Sequence, residues 1–305
     1  MKRPTKAVIA AAGFGTRFLP QTKAMPKEMM PLIDKPIIQY VVEELVAAGI
    51  KDIIIVGSSN KRSIEDHFDL PGEDLLQNLR AGGEKKAPLL KQVEDIASMA
   101  NFIYIRQKGP YGNATPVQCA AHLIGDEPFI YTYADDFFVA SPGRTAQLIS
   151  TYEEHQGQVL ACKKMLTDDE YDRYGVVAGT EVDSATLKVS KFIEKPGKAN
   201  APSDLASVSG YLLTPEIFEY IDKASESFDG QGELMIQPIM QQMIDDGLSV
   251  YAREITGGKF YDTGDKLEYL KTVIDFGLQH PKLGVELRRH LENRLSPKEQ
   301  CANSE

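Results

Sequence analysis

Short apolar runs alternate with amphipathic stretches through the first half of the chain. Runs rich in β-branched and aromatic residues predict strands, and the segments between them have apolar positions at helical spacing. The predicted strands are 7–12, 51–57, 102–106 and 129–133, and the predicted helices are 36–49, 63–68 and 115–124. Alternation of this kind is typical of a parallel sheet with helices on its faces. The polar stretch 70–99, which prolines and glycines interrupt, predicts an insertion outside the sheet.

After about residue 155 the apolar runs are separated by loops and then give way to helices. Strands are predicted at 158–165, 187–193, 208–213 and 249–253, and helices at 215–223, 233–244 and 265–294. The last helix has a break near His280–Pro281. The sequence therefore predicts a single α/β domain over 1–295 with a Rossmann-like mixed, mostly parallel sheet and helices on both faces. A flexible tail is predicted at 296–305.

Composition and charge exclude several classes of protein. The 305 residues carry 44 acidic and 34 basic side chains, a net charge of -10, which argues against a nucleic-acid binder or a polybasic membrane binder. No run approaches the roughly 18 apolar residues of a membrane span. The basic start Met1–Lys6 and the apolar run Ala7–Gly15 imitate a signal peptide, but no credible cleavage site follows.

Cysteines and histidines are scattered along the sequence. Cys119, Cys162 and Cys301 form no CxxC pair, which does not suit a disulfide framework or a thiolate zinc site. The five histidines show no HExxH spacing, and no G-x-S-x-G elbow is present. We therefore expect a cytoplasmic protein whose chemistry needs no protein nucleophile.

The segment Ala10–Pro31, AAAGFGTRFLPQTKAMPKEMMP, follows the first predicted strand directly. Its glycines allow the backbone to approach a ligand and to turn successive N–H groups toward it. The dinucleotide fingerprint GxGxxG is excluded because Phe18 stands at its third glycine position, and the chain has no GxxxxGK[ST] P-loop.

Basic residues follow this glycine turn on a loop that three prolines stiffen. Arg17, Lys23 and Lys27 belong to a stretch, 1–35, with seven basic and two acidic side chains. A local excess of positive charge beside a glycine turn predicts a site for a triphosphate. The alternative is a solvated basic loop after an edge strand.

Two acidic positions follow predicted strands. Asp135 and Asp136 come directly after the strand 129–133, and ligands of open α/β sheets bind at the carboxyl ends of strands. Mg²⁺ takes one or two protein carboxylates together with phosphate oxygens and water. The pair therefore predicts a magnesium site, with a helix or turn cap as the alternative. Asp262 is a second acidic candidate that could equally cap the following helix.

Glu194 and Lys195 follow the predicted strand 187–193. A carboxylate and an ammonium group at a strand end can hold sugar hydroxyls and a sugar phosphate. An adjacent Glu-Lys pair is also common on protein surfaces, so the pair by itself leaves both interpretations open.

In their order and spacing, these segments resemble the bacterial sugar-nucleotide pyrophosphorylases from Ala7 to about Leu283. The segments are AAGFGTRFLPQTKAMPKEMMPLIDKPIIQYVVEE near the start, GDEPF at Gly125–Phe129, YGVV at Tyr174–Val177, FIEKP at Phe192–Pro196, LTPEIF at Leu213–Phe218 and YDTGDKLEY at Tyr261–Tyr269. The resemblance implies a nucleotidyltransferase-type fold with sugar-binding insertions. It further implies a nucleotide-binding half over about 1–155, a sugar-binding half over about 156–264 and C-terminal helices over 265–295.

The resemblance also implies a reaction, namely Mg²⁺-dependent transfer of a uridylyl group from UTP to glucose 1-phosphate with release of pyrophosphate. The attack is direct and in line, without a covalent intermediate. The implied partners are these small-molecule substrates, with no nucleic acid and no membrane. Because the family forms dimers and tetramers, we expect a homo-oligomer.

Residue roles follow from the same resemblance. Catalysis is assigned to Arg17, Lys27, Asp135 and Lys195. Nucleotide binding is assigned to Ala11, Ala12, Gly13, Gly15, Thr16, Gln107 and Gly112. The sugar phosphate is assigned to Asp136, Gly175, Glu194 and Lys195, and Mg²⁺ is assigned to Asp135 and Asp262.

Three segments depart from the family pattern. The usual GLGHA loop reads Pro110-Tyr111-Gly112-Asn113-Ala114, VGRY reads VSGY at 208–211, and GEIQLTD reads GELMIQP at 232–238. These departures leave open another substrate pair, such as dTTP with glucose 1-phosphate or UTP with N-acetylglucosamine 1-phosphate. A sensor that binds a nucleotide sugar without turnover is the alternative from another class. The joint presence of Arg17, Lys27, Asp135 and Lys195 argues against it.

Overall fold

The computed structural model describes residues 2–295. The tail predicted at 296–305, which contains Cys301, lies outside the described residues. None of the helices among residues 2–295 combines the length and apolar character needed to cross a membrane.

The helices and strands of the described part have the following bounds. The strands are β1 (Lys6–Ala10), β2 (Pro31–Leu32), β3 (Lys35–Pro36), β4 (Asp52–Gly57), β5 (Asn101–Arg106), β6 (Phe129–Tyr133), β7 (Asp136–Ala140), β8 (Gln158–Lys164), β9 (Gly175–Asp183), β10 (Thr186–Ile193), β11 (Leu205–Leu213), β12 (Val250–Glu254) and β13 (Gly258–Asp262). The helices are α1 (Ile37–Ala47), α2 (Arg62–Phe68), α3 (Glu73–Ala81), α4 (Ala87–Ala97), α5 (Thr115–Ile124), α6 (Arg144–His155), α7 (Glu216–Glu226), α8 (Ile236–Asp245), α9 (Lys266–Gln279) and α10 (Gly284–Leu295).

Nine strands form one sheet in the order β5-β4-β1-β6-β11-β8-β12-β10-β9. The first four strands are mutually parallel, so their carboxyl ends meet at one edge. Beyond β6 the sheet is mainly antiparallel, because β11 runs against both β6 and β8, and β9 and β10 form a hairpin. β9 also pairs with β11, which closes β11, β8, β12, β10 and β9 into a ring.

The predicted mixed α/β class is confirmed, but the parallel part is smaller than predicted. Among the described strands, parallel pairing is confined to β5, β4, β1 and β6 and to the pair β8 and β12. The physical reason is connection length. Parallel neighbours need a long crossover, whereas the two residues between β9 and β10 permit only an antiparallel hairpin.

Helices cover both faces of the sheet, as predicted. On β1, Ala7 and Ile9 face one apolar cluster and Val8 faces the other, because successive side chains of a strand point to opposite faces. The first cluster is closed by α1, α2 and α6, and the second by α5, α7 and α8. The predicted insertion contains α3 and α4, which bury only Leu79 and Ile96 respectively.

Several elements were not predicted from the sequence, namely β2, β3, β7, β9, β13 and α6. β7 and β13 form a separate two-stranded sheet in which Asp262 lies opposite Asp136. This pairing joins segments that are more than 100 residues apart in the chain. It therefore places the second acidic candidate beside the first.

Candidate active site

A cleft of about 1100 Å³ lies where the parallel strands β1, β5 and β6 end, and it extends over the second half of the sheet. All but two of the predicted site residues line it. Those that line it are Ala12, Gly13, Thr16, Arg17, Lys27, Gln107, Gly112, Asp135, Asp136, Gly175, Glu194, Lys195 and Asp262. The fold thus brings residues from the whole length of the chain into one cavity.

Ala11 and Gly15 do not line the cleft. Ala11 is buried in the core, and its N–H donates to the carbonyl of Val56 at 2.9 Å. Gly15 has a φ of 65°, and its carbonyl accepts a hydrogen bond from Thr22 Oγ1 at 2.7 Å. The left-handed backbone at Gly15 makes the turn that follows β1, because a residue with a Cβ is strained at this φ.

The glycine turn presents free backbone donors to the cleft. Within residues 2–295, the N–H groups of Gly13 and Phe14, which both line the cleft, have no hydrogen-bond partner in the protein. Successive free N–H groups in a turn attract anions such as phosphate. Arg17, exposed beside this turn, donates to the carbonyl of Gly264 at 3.2 Å, so it reaches across to the segment that follows β13.

Lys27 and Asp135 form an ion pair at the centre of the cleft. Lys27 Nζ lies 2.5 Å from Asp135 Oδ2, and both side chains are largely buried. Burial lowers the pKa of Lys27, but the negative charges of Asp135 and Glu28 outweigh it, so the pKa stands above its usual value. The lysine is therefore held as a cation next to the acidic pair.

Asp135 and Asp262 face one small space. A Cβ added to Gly264 would lie 3.2 Å from both Asp135 Oδ2 and Asp262 Oδ1, so a side chain at this position would crowd both carboxylates. Tyr174 Oη donates to Asp262 Oδ2 at 2.8 Å and fixes that carboxylate. Two carboxylates with a gap between them fit the donor set that Mg²⁺ prefers, which is completed by phosphate oxygens and water.

Asp136 lies beside this pair in a more enclosed position. Its Oδ1 is buried and, among the described residues, has no hydrogen-bond partner. Burial raises the pKa of Asp136 to about 7, with a further contribution from the charge of Asp135. Asp136 does not cap a helix, because it begins β7 directly after Asp135. Asp262 does not cap the helix that follows it, because the N-cap of α9 is Asp265. The helix-cap alternative is therefore wrong for Asp135, Asp136 and Asp262.

The opposite end of the cleft carries Glu194 and Lys195. Lys195 has a φ of 45°, and its Nζ lies 3.4 Å from Glu194 Oε1. Burial raises the pKa of Glu194, against the opposing effect of Lys195. A Cβ on Gly175 would lie 2.7 Å from Phe192 and 3.0 Å from Glu194 Oε2, so the glycine leaves room for the Glu194 carboxylate. The pair belongs to the cleft and not to an unrelated surface.

Comparison with known proteins places the chain in a family. The profile described as Nucleotidyl transferase matches residues 6–276. The chain belongs to the nucleotidyl transferase family. It is 41% identical over 299 residues to a UTP--glucose-1-phosphate uridylyltransferase of Bacillus subtilis (strain 168), an alignment that covers 98% of this chain and 100% of the relative. A protein of the same name from Staphylococcus haemolyticus (strain JCSC1435) is 42% identical over 293 residues, with 96% and 99% covered.

Solved structures show the same likeness. A UDP-glucose pyrophosphorylase complexed with UDP-glucose superposes with a TM-score of 0.80 at 33% identity, covering 91% of this chain and 100% of that one. A UTP-bound enzyme from Acinetobacter baumannii gives 0.83 at 34% identity, covering 94% and 98%. The resemblance seen in the sequence is thereby confirmed, and so is the nucleotidyltransferase fold.

Two of the three departures from the family pattern contact each other. Asn113 Oδ1 accepts a hydrogen bond from Ile236 N–H at 2.7 Å, and its Nδ2 donates to Tyr133 Oη at 2.8 Å. Gly112 lies so close to Leu234 that an added Cβ would be 2.1 Å from its carbonyl oxygen. The loop 110–114 and the segment at the start of α8, which both depart from the family pattern, therefore form one contact region.

The third departure accommodates a buried arginine. A Cβ on Gly210, whose φ is 113°, would lie 2.7 Å from Arg144 Cδ. Arg144 is fully buried, lies 3.0 Å from Glu44 and donates to the carbonyl of Ser209 at 2.9 Å. Ser209 Oγ in turn accepts a hydrogen bond from Tyr133 N–H at 2.8 Å. This network holds Ser209 and Tyr133, which both line the cleft.

Sequence reasoning missed three residues that shape the site, namely Lys61, Asn113 and Arg144. Asn113 stands inside a departing loop, so that departure was the one signal that pointed to it. Lys61 and Arg144 carried no signal, because charged residues are normally exposed and their burial depends on distant partners.

Proposed function

We propose that this protein transfers the uridylyl group of UTP to glucose 1-phosphate, forming UDP-glucose and releasing pyrophosphate. The observation that carries the proposal is the ion pair of Lys27 and Asp135 beside a turn with free N–H groups. The site thus combines a lysine cation and free N–H donors, which bind phosphates, with a carboxylate that can bind Mg²⁺. The near full-length relatives named for this reaction support the choice of substrates.

The reaction joins the two substrates directly. A phosphate oxygen of glucose 1-phosphate forms a bond to the α-phosphorus of UTP, and the bond from that phosphorus to the β-phosphate bridging oxygen breaks. Pyrophosphate carries away the electron pair. The attacking oxygen is already ionised at neutral pH, so no general base is required. Catalysis then consists of positioning and charge stabilisation.

The triphosphate end of UTP is assigned to the glycine turn, Arg17 and Lys27. The free N–H groups of Gly13 and Phe14, with Thr16 beside them, are placed to donate hydrogen bonds to the phosphates without reorganising. Asp135 and Asp262 would hold Mg²⁺, which when bound neutralises phosphate charge. Gln107, Ala12 and Gly112 also line the cleft and are proposed to contact the base and ribose.

The sugar phosphate is assigned to the opposite end of the cleft. Lys195 supplies the cation for the phosphate, and Glu194 accepts hydrogen bonds from sugar hydroxyls. Gly175 leaves the space next to Glu194, and Asp136, which also lines the cleft, is assigned to the same substrate. The same division makes the first half of the chain the nucleotide-binding part and residues 156–264 the sugar-binding part.

A panel of UTP, dTTP, CTP and ATP against glucose 1-phosphate and N-acetylglucosamine 1-phosphate tests the proposal. Pyrophosphate release is measured in each combination, with and without Mg²⁺. We expect UTP with glucose 1-phosphate and Mg²⁺ to give the highest kcat/KM. A different best pair would correct the substrates, and no turnover with any pair would favour a sensor.

The Lys195→Ala variant separates the two ends of the cleft. Lys195 lies at the sugar end with its side chain half exposed, so its loss is not expected to unfold the protein. We expect KM for glucose 1-phosphate to rise about 10–100-fold, as is usual for a lost charge-assisted hydrogen bond, with KM for UTP little changed. Initial rates over both substrates measure this. Lys191→Ala, an exposed lysine on β10 outside the cleft, is the control and keeps wild-type constants.

We extend the proposal to a homo-oligomer of the cytoplasm. Leu267, Leu270 and Ile274 are exposed apolar residues at helical spacing on α9, which supports an interface between copies. Cys119 and Cys162 are free thiols, as a reducing compartment favours. Sedimentation of the purified protein determines its oligomeric state.

A further inference from the structure

A buried ion pair lies under the glycine turn. Lys61 Nζ donates to Glu28 Oε2 at 2.8 Å and to Glu28 Oε1 at 3.0 Å, and the two side chains are 4% and 0% exposed. Lys61 Nζ also donates to the carbonyl oxygen of Gly13 at 2.7 Å. Since an ammonium group has three donors, this lysine is fully satisfied inside the protein. Its side chain does not line the cleft.

Lys61 connects three separate segments of the site. It stands in the loop between β4 and α2, Gly13 lies in the turn after β1, and Glu28 directly follows Lys27. A Cβ on Gly13 would be 3.5 Å from Lys27 Cε, so the turn and the phosphate-binding lysine are already in contact. Lys61 therefore connects the turn to the segment that carries Lys27.

A gain in stability does not explain why Lys61 and Glu28 are buried as an ion pair. Burial lowers the pKa of Lys61 and raises the pKa of Glu28, in each case against the attraction of the partner. Removing two charges from water costs free energy that their attraction often fails to recover, and apolar residues of similar size frequently replace such pairs without loss. A role in positioning the neighbouring segments explains why Lys61 and Glu28 are charged.

The hydrogen bond from Lys61 to the Gly13 carbonyl determines the direction of the Phe14 N–H. In a trans peptide the C=O and the following N–H point in opposite directions. With the Gly13 carbonyl held on Lys61, the Phe14 N–H points away from Lys61, and within the described chain it has no protein partner. Gly13 and Phe14 both line the cleft. The free donor is thus oriented by a side chain that never contacts the ligand.

We propose that Lys61 is a positioning residue for the phosphates: its bond to Gly13 orients the Phe14 N–H, and its pair with Glu28 fixes Lys27 beside that donor. The inference rests on the proposed function for the assignment of this turn to a triphosphate. It adds a residue that contacts neither substrate.

Three variants test the role of Lys61, namely Lys61→Met, the double variant Glu28→Met/Lys61→Met, and Ile64→Ala as the control. Ile64 is a buried residue of α2, one turn from Lys61, and its truncation lowers stability without removing the bond to Gly13. The probe is inorganic tripolyphosphate with Mg²⁺, whose affinity is measured by calorimetry. Thermal denaturation of each variant is recorded in parallel.

We expect Lys61→Met to melt at a lower temperature than the wild type, because it leaves Glu28 buried and unpaired. The double variant is expected to regain most of that loss, yet to bind tripolyphosphate roughly 10–100-fold more weakly than the wild type. With UTP the same variant should show a raised KM for UTP and an unchanged KM for glucose 1-phosphate. Ile64→Ala should melt early and bind tripolyphosphate normally.

Wild-type affinity of the double variant for tripolyphosphate would overturn the inference, and so would a wild-type protein that does not bind this probe. Because tripolyphosphate has neither a base nor a sugar, the result is independent of the substrate pair. Pyrophosphate release by the wild type tests the proposed function separately, so the two can fail independently.

Discussion

Replacement of Asp135 by alanine is expected to lower kcat for UTP and glucose 1-phosphate by about 10²–10³-fold while leaving the fold intact. Asp135 neutralises Lys27 and faces the space beside Asp262 that fits Mg²⁺. Its charge also contributes to the raised pKa of the neighbouring Asp136. The substitution relieves repulsion between the two aspartates but also removes the ion-pair partner of Lys27, so we expect these effects to oppose each other and the melting temperature to change little.

Steady-state kinetics across a Mg²⁺ titration measure the effect. Asp135→Asn keeps the size of the side chain and removes the charge, so it should need far more Mg²⁺ than the wild type for half-maximal rate. The control is Asp95→Ala, which removes the carboxylate of an exposed Lys–Asp pair on α4, 2.7 Å from Lys91 Nζ. It should keep wild-type turnover. An Asp135→Ala enzyme with normal kcat and normal Mg²⁺ dependence would contradict the assignment of this residue.

Replacement of Arg17 by alanine has the second large expected effect. Arg17 is exposed at the glycine turn, and its guanidinium contacts the Gly264 carbonyl, close to both metal-binding candidates. A donor placed where charge develops in the transition state contributes roughly 10²–10³-fold to kcat. We expect a loss of that size in kcat/KM for UTP. The lost contact to Gly264 lies at the surface, so stability should change by less than about 1 kcal/mol.

Lys23 provides the matched control for Arg17. It is an exposed cation of the same proline-rich loop, six residues further along, and it does not line the cleft. Lys23→Ala removes the same charge from the loop and should retain nearly full activity. Arg17→Lys should recover only part of the loss, since a lysine lacks the planar fork of donors. Equal losses in Arg17→Ala and Lys23→Ala would mean that overall charge matters, and not the position of Arg17.

The first half of the sheet was predictable because its signals are local. The strand β6 and the helix α5 have the predicted bounds, and β1, β4 and β5 differ from prediction by one or two residues at their ends. Buried parallel strands are continuous apolar runs, and a proline near the start of α5 marks its first turn. Such patterns are complete within a dozen residues.

The strands β7 and β13 were not predictable in the same way. Each has five residues, and in the described chain they pair only with one another across more than 100 intervening positions. Their sequences DFFVA and GKFYD carry no strong alternation. Only the pairing itself reveals that Asp262 stands opposite Asp136, although the motif had already marked both residues as candidates.

The net charge of -10 shows the same difference between what the sequence indicates and what the tertiary structure reveals. It argues against a chain devoted to nucleic acid, yet the structure gathers Arg17, Lys27 and Lys195 in one cleft with three aspartates. The sequence by itself determined the α/β class, the glycine turn and the family, because these depend on residue order and short spacing. The tertiary structure alone decided the burial of Lys61 and Arg144 and the meeting of Asp135 with Asp262. Burial and contact of charges depend on distant segments that pack together, and no local pattern encodes that packing.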